Sequence, residues 1–374
     1  MRVLLLHNRY RAQGGEERAV GDLVALLEAR GHTVELLERH SSDAPRARAA
    51  RALLTGGVDA QQVTDAVRRL RADVVHAHNL HPLLGWRALA AARSAGARTV
   101  LHLHNFRLFC AVAIAYRKGA PCFRCTGADT RPGLRLRCRG DLPEAAVYAA
   151  GLHNQQAHLF EHADRFVVVS EATARRLIDL GLPPEPTVAI SNFVPAAAFA
   201  ERSRAHLGEY ALVAGRLVEE KGFDTAVAAA RVAGVPLVVA GEGPDEARLR
   251  ALSRGGDVRF TGRLGPGALA GARARAAVVL VPSRWEEPCP YAVLDALAAG
   301  VPVLASDRGG LPELVGAGGV LPPEDRRAWS QALAGLWRDR AKRRACGDEA
   351  LARARERFNE DRYYESLMQV YSGA

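Results

Sequence analysis

One stretch in the second half of the chain combines two carboxylates with the start of a predicted helix. It reads PSRWEEPCPYAVLD from Pro282 to Asp295, and it follows an apolar run typical of a buried strand. Glu287 lies in the loop, and Asp295 lies one or two turns inside the helix. Carboxylates there could accept hydrogen bonds from sugar hydroxyls, and a helix N-terminus favours anions and hydroxyl-rich ligands. Taken alone, the stretch could equally be a surface helix with solvated acids.

Two further places in the sequence could bind phosphate groups. Arg216 and Lys221 follow a predicted strand, where Arg can hold a diphosphate with two hydrogen bonds and Lys adds a point charge. Gly14 and Gly15 stand between a predicted strand and a predicted helix, so their backbone N–H groups could approach a phosphate. The alternatives are solvated surface cations at the first place and a plain tight turn at the second.

Four cysteines have the spacing C-x11-C-x2-C-x12-C, which fits a structural zinc site. They are Cys110, Cys122, Cys125 and Cys138, and the residues between them are rich in arginine and poor in core-forming side chains. Such a loop cannot be ordered by its own core, so a bound metal ion would have to order it. Four thiolate ligands would leave no open coordination position at which the metal could take part in catalysis. We therefore expect a structural Zn²⁺ and no catalytic metal. The alternatives are free thiols or a disulfide pair.

Short buried strands that alternate with helices are predicted to position these residues. The strands are expected near residues 3–6, 33–37, 73–78, 99–103, 166–170, 210–214, 237–240, 258–260, 278–281 and 301–304. This pattern predicts an α/β protein with two facing Rossmann-like domains, parallel sheets and a cleft between the domains. A proline-rich stretch at 183–186 and Pro195 are predicted to separate the two series of strands.

We place the N-terminal domain at residues 1–190, with a cysteine-rich insertion at 106–140. The second domain is placed at 191–357, and a C-terminal helix at 358–374 is expected to brace the first domain. The 374 residues, with 48% hydrophobic and 25% charged side chains, exclude a disordered or fibrous chain. The sequence shows neither a signal peptide nor an apolar run long enough to span a membrane, so we expect a cytoplasmic protein.

The net charge of +10 is concentrated in the first half of the chain. Up to Ile190 there are 26 basic and 18 acidic residues, and seven basic residues lie between Cys110 and Gly140. An arginine-rich insertion favours an anionic partner molecule or an acidic lipid surface, hence peripheral contact with the inner membrane face. Codon bias is the alternative, because only three of the 51 basic residues are lysines.

The chain resembles the retaining glycosyltransferases of family 4, which have the GT-B fold, and the resemblance covers nearly all residues. In the first half it rests on His7-Asn8, on Gly14-Gly15-Glu16, on DVVHAHN at 73–79 and on HLHN at 102–105. In the second half it rests on the Arg216 and Lys221 pair, on GEGP at 241–244 and on the two-carboxylate stretch. It implies transfer of a sugar, with retention, from a nucleotide-diphosphate sugar to a hydroxyl acceptor.

The resemblance also implies roles for individual residues. The residues expected to make catalytic contacts are His104 and Glu287, and Glu287 is expected to hydrogen-bond the transferred sugar. The residues expected to bind the donor are Gly14, Gly15, Arg216, Lys221, Arg263, Leu264, Tyr291, Ala292 and Asp295. Among them, the backbone around Arg263 and Leu264 receives the nucleobase, and Asp295 bonds the ribose hydroxyls. Acceptor binding is expected at His78, Asn79 and Asn105. The chain departs from the family at Asp295, where Glu is usual, and at Pro290, where Gly is common, so the donor stays open.

Other functions fit parts of the sequence. A sugar-nucleotide epimerase or a phosphorylase could share the fold, although an epimerase would need further acid–base carboxylates near the sugar. A basic nucleic-acid-binding protein with a four-cysteine zinc knuckle would explain the charge and leave the second-half residues unexplained, so we expect no nucleic-acid partner. The sequence lacks the Asp-x-Asp pattern that holds a metal on the diphosphate, and it offers no obvious second carboxylate as a covalent nucleophile. We therefore expect metal-independent chemistry.

Overall fold

The apolar run at the N-terminus forms strand β1 (Arg2–Arg9), and six consecutive residues of this strand are buried in the computed structural model. Helix α1 (Gly15–Ala29) packs Leu23 and Leu27 into the core, and strand β2 (Thr33–His40) then pairs in parallel with β1. A strand covered on both faces lacks the alternation of a half-exposed strand, which explains its continuous apolar sequence. The structure describes residues 1–10 and 14–373.

This β-α-β unit repeats through the first half of the chain. The next strands are β3 (Val74–Ala77), β4 (Arg98–Leu103), β5 (Tyr116–Arg117), β6 (Ala120–Pro121), β7 (Arg165–Val168) and β8 (Thr187–Ala189). The next helices are α2 (Arg46–Thr55), α3 (Ala60–Leu70), α4 (Gly85–Ser94), α5 (Arg131–Arg135), α6 (Leu142–His162) and α7 (Glu171–Asp179). Six strands form a parallel sheet in the order β2-β1-β3-β4-β7-β8, and β5 and β6 form a separate antiparallel pair.

The second half of the chain builds another parallel sheet of six strands. The strands are β9 (Tyr210–Ala214), β10 (Leu237–Ala240), β11 (Val258–Gly262), β12 (Ala276–Val281), β13 (Val303–Ser306) and β14 (Val320–Leu321), and their order is β11-β10-β9-β12-β13-β14. The helices are α8 (Phe223–Ala233), α9 (Glu246–Leu252), α10 (Pro266–Ala274), α11 (Tyr291–Ala298), α12 (Leu311–Val315), α13 (Arg326–Arg338), α14 (Arg340–Arg357) and α15 (Glu360–Ser372). Trp329 on α13 and Phe223 on α8 are buried in the core beside these strands.

The chain divides into two units, each with its own sheet. The first contains Met1–Ala115, Cys122–Ser191 and the described residues from Tyr364 onward, and the second contains Tyr116–Pro121 and Asn192–Tyr363. Two parallel six-stranded sheets with flanking helices confirm the predicted α/β class. None of the helices in the described part of the chain is long and apolar enough to cross a membrane.

The structure corrects two details of the sequence prediction. The proline-rich stretch at 183–186 leads directly into β8, the edge strand of the first sheet, because the carbonyl of Pro186 accepts a hydrogen bond from the Phe166 N–H at 2.8 Å. The insertion also buries more apolar surface than expected, since Phe109, Ala113 and Tyr116 are each less than 8% exposed.

Candidate functional site

In the second unit, strands β9 and β12 lie side by side, but the chain continues from them to opposite halves of the sheet. Strands β10 and β11 lie beyond β9, whereas β13 and β14 lie beyond β12. Ligands of open parallel sheets bind outside the carboxyl ends of the strands at such a switch point. The loops that leave β9 and β12 at this end carry Arg216, Lys221 and Glu287.

Lys221 and Glu287, 66 positions apart in sequence, form an ion pair at this switch point. The Lys221 Nζ lies 2.5 Å from the Glu287 Oε1, and the Ser283 hydroxyl donates to the same oxygen at 2.6 Å. The Glu287 side chain is 3% exposed and the Lys221 side chain 23% exposed. A buried carboxylate with two donors is held in one position, and the ammonium beside it stays accessible to an anionic ligand.

Gly222 explains how the two loops approach each other. It has a φ of 66°, and a Cβ there would lie 2.0 Å from the carbonyl oxygen of Pro282. Any side chain would therefore push the loop after β9 away from the loop after β12. Lys221 is the neighbour of this glycine, so its position depends on the close approach of the two backbones.

Arg216 differs from Lys221 in exposure. Its side chain is 66% exposed, and its Nη2 lies 3.8 Å from the Glu220 Oε1. This is a weak surface pair, which leaves the guanidinium able to turn toward a ligand. The structure therefore brings Lys221 and Glu287 together and leaves Arg216 at the surface of the loop after β9.

The predicted donor residues on helix α11 lie in its first turns. Tyr291 and Ala292 open the helix, where backbone N–H groups are not used by the helix itself. Asp295 accepts a hydrogen bond from the Arg273 Nη2 at 2.9 Å, and both side chains are only about one-tenth exposed. The carboxylate predicted to meet a ribose is thus held in place by an arginine of α10.

The predicted nucleobase segment follows β11. Arg263 is exposed, Leu264 is half-buried, and the Arg263 backbone N–H donates to the Glu242 Oε1 at 3.3 Å. Glu242 belongs to the GEGP stretch, and its carbonyl accepts from the Leu217 N–H at 2.9 Å. Arg263, Glu242 and Leu217 thereby connect the loops after β11, β10 and β9 on one edge of the sheet.

The first unit has a comparable switch point between β1 and β3. A small cavity of about 30 Å³ lies near it, with room for one or two water molecules. Its lining includes the side chains of Tyr10, Glu16, His78, His81, His104, Asn105 and Arg107. Asn79 also lines the cavity, which therefore gathers four of the predicted site residues with four that the sequence reasoning did not assign to a site.

Four histidines on β3, on β4 and just beyond their ends form a stacked group, which we call the histidine stack: His76, His78, His102 and His104. Residues two apart on a strand share a face, so neighbouring strands bring two pairs of imidazoles together. His76 Nε2 lies 3.2 Å from His102 Nδ1, and His78 Nδ1 lies 2.8 Å from His104 Nε2. His76 Nδ1 also lies 2.7 Å from the Tyr371 hydroxyl.

Burial keeps the histidine stack uncharged. Desolvation lowers the pKa of both His76 and His104 to about 3, with neighbouring imidazoles adding to the effect at His104. The pKa of His78 and of His102 is also well below its usual value for the same reason. The stack can therefore exchange hydrogen bonds but does not supply positive charge at neutral pH.

The start of helix α1 is capped from within the helix. The Glu17 carboxylate accepts from the Gly14 N–H at 2.7 Å and from the Tyr10 N–H at 3.0 Å. Glu16 points into the cavity, where its Oε2 lies 3.2 Å from the Asn105 Nδ2. Burial raises the pKa of Glu16 to about 7. The Gly14 amide predicted to face a phosphate is thus engaged by Glu17, while Gly15 is the first residue of the helix.

The two predicted asparagines are held differently. Asn79 is 6% exposed, donates to the Asn8 carbonyl at 2.6 Å and accepts from the His81 N–H at 3.1 Å, so it ties the ends of β1 and β3 together. Asn105 is half-buried in the cavity lining, where its side chain also contacts the Tyr10 hydroxyl.

Two groups of three side chains in the described ranges 1–10 and 14–373 have potential ligand atoms within 4.8 Å of one another: His76, His78 and His102, and His158, Glu161 and His162. In the first group the His76 and His78 rings are 12° from parallel, so their in-plane lone pairs do not converge on one centre. The four insertion cysteines are reduced and form no group of three as tight as these in the same ranges.

Sequence reasoning missed several residues of these sites. Ser283, Tyr10, Glu16 and Arg107 contact predicted site residues, yet none had been assigned a role. Ser283 stands inside the two-carboxylate stretch, and Glu16 inside the glycine stretch, so both were visible as neighbours. Their roles depend on which way their side chains point, which spacing alone does not give.

Comparison with known proteins agrees with this architecture. The model of "Glycosyltransferase Family 4" matches residues 13–198, and that of "Glycosyl transferases group 1" matches residues 198–353. Sucrose-phosphate synthase from Thermosynechococcus elongatus shares 19% identity and a TM-score of 0.73, covering 100% of this chain and 98% of that one. The Anabaena protein HepE, solved in complex with UDP, shares 18% identity and a TM-score of 0.68, covering 100% of both chains.

A curated relative adds sequence similarity. The D-inositol 3-phosphate glycosyltransferase of Kineococcus radiotolerans is 32% identical over 276 residues, which cover 63% of this chain and 62% of the relative. The chain thus spans less than two thirds of the length of such relatives. The two family models together match almost the whole described chain, and its two parallel six-stranded sheets match GT-B structures. The chain belongs to the family 4 glycosyltransferases.

Proposed function

We propose that this protein is a retaining glycosyltransferase that moves a sugar from a nucleotide-diphosphate sugar to a hydroxyl acceptor. The observation that carries the proposal is the pairing of Lys221 with the buried Glu287 at the switch point of the second sheet. A cation and a fixed carboxylate side by side match the two halves of such a donor, because a diphosphate is anionic and a sugar is rich in hydroxyl donors.

In the proposed reaction, the bond between the anomeric carbon and the diphosphate oxygen breaks first. Lys221 and the exposed Arg216 stabilise the negative charge that develops on the leaving diphosphate. Glu287 accepts hydrogen bonds from the transferred sugar and so fixes its orientation as the carbon becomes oxocarbenium-like. The acceptor hydroxyl attacks from the face that the diphosphate leaves, and its proton passes to the departing phosphate oxygen. Configuration at the anomeric carbon is retained.

The proposal includes chemistry without a catalytic metal, with the two cations in place of a divalent ion. Activity in the presence of EDTA tests this part, and full loss of turnover that Mg²⁺ or Mn²⁺ restores would contradict it. The anomeric configuration of the product, read from its proton NMR couplings, tests retention. An inverted product would overturn the assignment of the mechanism.

We assign the acceptor to the first unit, where His78, His104 and Asn105 line the polar cavity. His104 is neutral, because burial lowers its pKa to about 3, so it can donate or accept a hydrogen bond without adding charge. Its contact with the sugar or the leaving group is a part of the proposal, as are the acceptor roles of His78, Asn79 and Asn105.

A thermal-shift and hydrolysis screen with UDP-, GDP-, ADP- and dTDP-sugars tests the proposed donor class. A ligand that binds only the folded state, present at a free concentration of about 100 times its Kd, raises the free energy of unfolding by about 2.7 kcal/mol. A thermal shift of this origin is easily measured. We expect one donor to raise the Tm, and the shift to shrink in Arg216→Met. Arg254→Met is the matched control, because Arg254 is an exposed arginine of the same unit. No shift with any donor would contradict the proposal.

We further propose an anionic acceptor, either a phosphorylated polyol or a lipid with an acidic headgroup at the cytoplasmic membrane face. The support is the excess of basic residues before Ile190, together with a relative named for D-inositol 3-phosphate. The test compares sedimentation with vesicles of neutral and anionic phospholipid, and transfer rates, over a range of salt concentrations. Binding and rates that ignore salt and lipid charge would leave codon bias as the explanation of the arginines.

The rival functions give different results in the same assays. A phosphorylase would need inorganic phosphate and no acceptor, and an epimerase would convert the donor without releasing a nucleoside diphosphate. A nucleic-acid-binding protein would bind generic DNA with a steep salt dependence and would gain no stability from nucleotide sugars.

A further inference from the structure

The loop that carries the four cysteines is tied together by backbone contacts at their positions. The Cys122 N–H donates to the Ala115 carbonyl at 2.6 Å, and the Ala115 N–H in turn donates to the Cys110 sulfur. Cys125 interacts electrostatically with each of the other three cysteines, so the four sulfurs share one neighbourhood. Residues 28 positions apart, Cys110 and Cys138, are therefore brought to the same place by the fold of the loop.

Backbone N–H groups are aimed at two of these sulfurs. The N–H groups of Val112 and Ala115 lie beside the Cys110 sulfur and that of Gly133 lies beside the Cys125 sulfur, while the Ala113 N–H donates to the Cys110 carbonyl at 2.9 Å. A neutral thiol is a weak acceptor, whereas a thiolate benefits strongly from several donors. Metal-bound ligands are commonly oriented by such outer hydrogen bonds. Backbone donors beside these two sulfurs thus indicate positions suited to thiolates.

The backbone around these cysteines is strained. Ala113, Ala115 and Arg137 have φ values of 68°, 47° and 47°, in the left-handed region that residues other than glycine rarely adopt. Such conformations persist only where the surroundings over-determine them. The two alanines supply N–H groups to Cys110, and Arg137 immediately precedes Cys138. The strained backbone conformations therefore occur at residues that contact or directly precede the cysteines of the loop.

We propose that Cys110, Cys122, Cys125 and Cys138 bind one structural Zn²⁺ as tetrahedral thiolates. Zinc prefers four such ligands at about 2.3 Å, which places neighbouring sulfurs about 3.8 Å apart.

The metal supports the residues of the first-unit cavity. The Cys110 N–H donates to the Phe106 carbonyl at 2.8 Å, the Phe106 N–H donates to the Ala113 carbonyl at 2.9 Å, and the Arg107 Nη1 contacts the Ala111 carbonyl at 3.2 Å. Arg107 and Asn105 line the cavity that contains Glu16. The segment that follows His104 is thus fixed to the loop around the first zinc ligand. The zinc is a support for the cavity and takes no part in the reaction.

Metal analysis of the full-length protein tests the proposal. Protein purified from zinc-supplemented medium is expected to contain one zinc per chain, measured by inductively coupled plasma mass spectrometry. Replacement by Co²⁺ is expected to give the intense absorption bands of a tetrahedral thiolate site. Cys122→Ser/Cys125→Ser is expected to contain almost none, and Cys346→Ser, a cysteine on helix α14, is expected to keep the full amount.

A wild-type protein without zinc that also shows no thiolate bands on Co²⁺ titration would overturn the proposal, even where the double variant fails to fold. Bound iron with the colour of an iron–sulfur cluster would overturn the choice of zinc. Metal content does not depend on glycosyl transfer, so failure here leaves the proposed reaction standing, and failure of the donor screen leaves the zinc standing.

Discussion

The Lys221 Nζ lies 2.5 Å from the Glu287 Oε1, and this contact joins the loops that follow two adjacent strands, β9 and β12. The carboxylate is almost fully buried, and the ammonium is not. Without ligand, the lysine is the main cation that offsets the buried charge, with Ser283 as a second donor. The pair therefore links the stability of the second unit to the proposed donor site.

Lys221→Met is expected to lower kcat about a hundredfold, as the loss of one charge-stabilising donor does in comparable sites. It is also expected to reduce the free energy of unfolding by about 3 kcal/mol, because Glu287 is left buried without its cation. Steady-state kinetics and urea denaturation measure the two effects. Lys342→Met, at an exposed position of helix α14, is the matched control and should change neither quantity.

Lys221→Met/Glu287→Gln separates the two roles of this pair. The double variant should recover most of the lost stability, because no unpaired charge stays buried, while its activity should stay low. Recovery of both stability and activity would show that the lysine acts only on Glu287 and not on the donor.

Asp295→Ala is expected to weaken the binding of a ribonucleotide sugar about tenfold, a difference of about 1.4 kcal/mol. The carboxylate is held by Arg273 at 2.9 Å and is proposed to accept from the ribose hydroxyls. Asp295→Ala should weaken the binding of the 2′-deoxy analogue of the same donor by a smaller factor, because this analogue has one ribose hydroxyl fewer to bond to the carboxylate. Isothermal titration with both ligands checks this, and an equal loss for the two would place Asp295 away from the ribose.

The sequence was sufficient to predict the repeated β-α-β units because strands buried on both faces appear as short apolar runs. Strand β8 was missed, since Thr187–Ala189 is only three residues long, is not strongly apolar and follows three prolines. Its place in the sheet comes from parallel backbone pairing with β7, flanked by the hydrogen bonds from the Phe166 N–H to the Pro186 carbonyl and from the Ile190 N–H to the Val168 carbonyl. An edge strand needs little apolar sequence, so composition does not reveal it.

The candidate sites were predictable in part. The ends of strands located Lys221, Glu287 and His104, because parallel strands expose their carboxyl ends on one edge. Partners within a site were not predictable, since they depend on side-chain direction. Glu16 and Glu17 are adjacent in sequence, yet Glu17 caps helix α1 and Glu16 points into the cavity.

Glu16→Gln is expected to stabilise the first unit increasingly as pH rises. Burial raises the pKa of Glu16 from 4.5 to about 7, so the folded state binds a proton that the unfolded state has released between these values. Wild-type stability contributed by this group is therefore lost from about pH 4.5 to about pH 7, by at most about 3 kcal/mol. Urea denaturation across this range measures the difference between variant and wild type. Glu28→Gln, at an exposed position of the same helix, is the control, and a difference independent of pH would contradict the prediction.

The histidine stack is expected to make the first unit sensitive to acid. Burial lowers the pKa of His76 and of His104 from 6.5 to about 3, so the unfolded state binds more protons than the folded state below pH 6.5. Stability that is complete above this value should fall as pH decreases toward 3, at about 1.4 kcal/mol per pH unit for each group. His102→Gln should reduce the slope of unfolding free energy against pH by about one proton. Tyr371→Phe removes the hydroxyl beside His76 but no titrating imidazole, so its slope should match that of the wild type even if its stability is lower. An unchanged slope in His102→Gln would show that the stack already binds protons in the folded state.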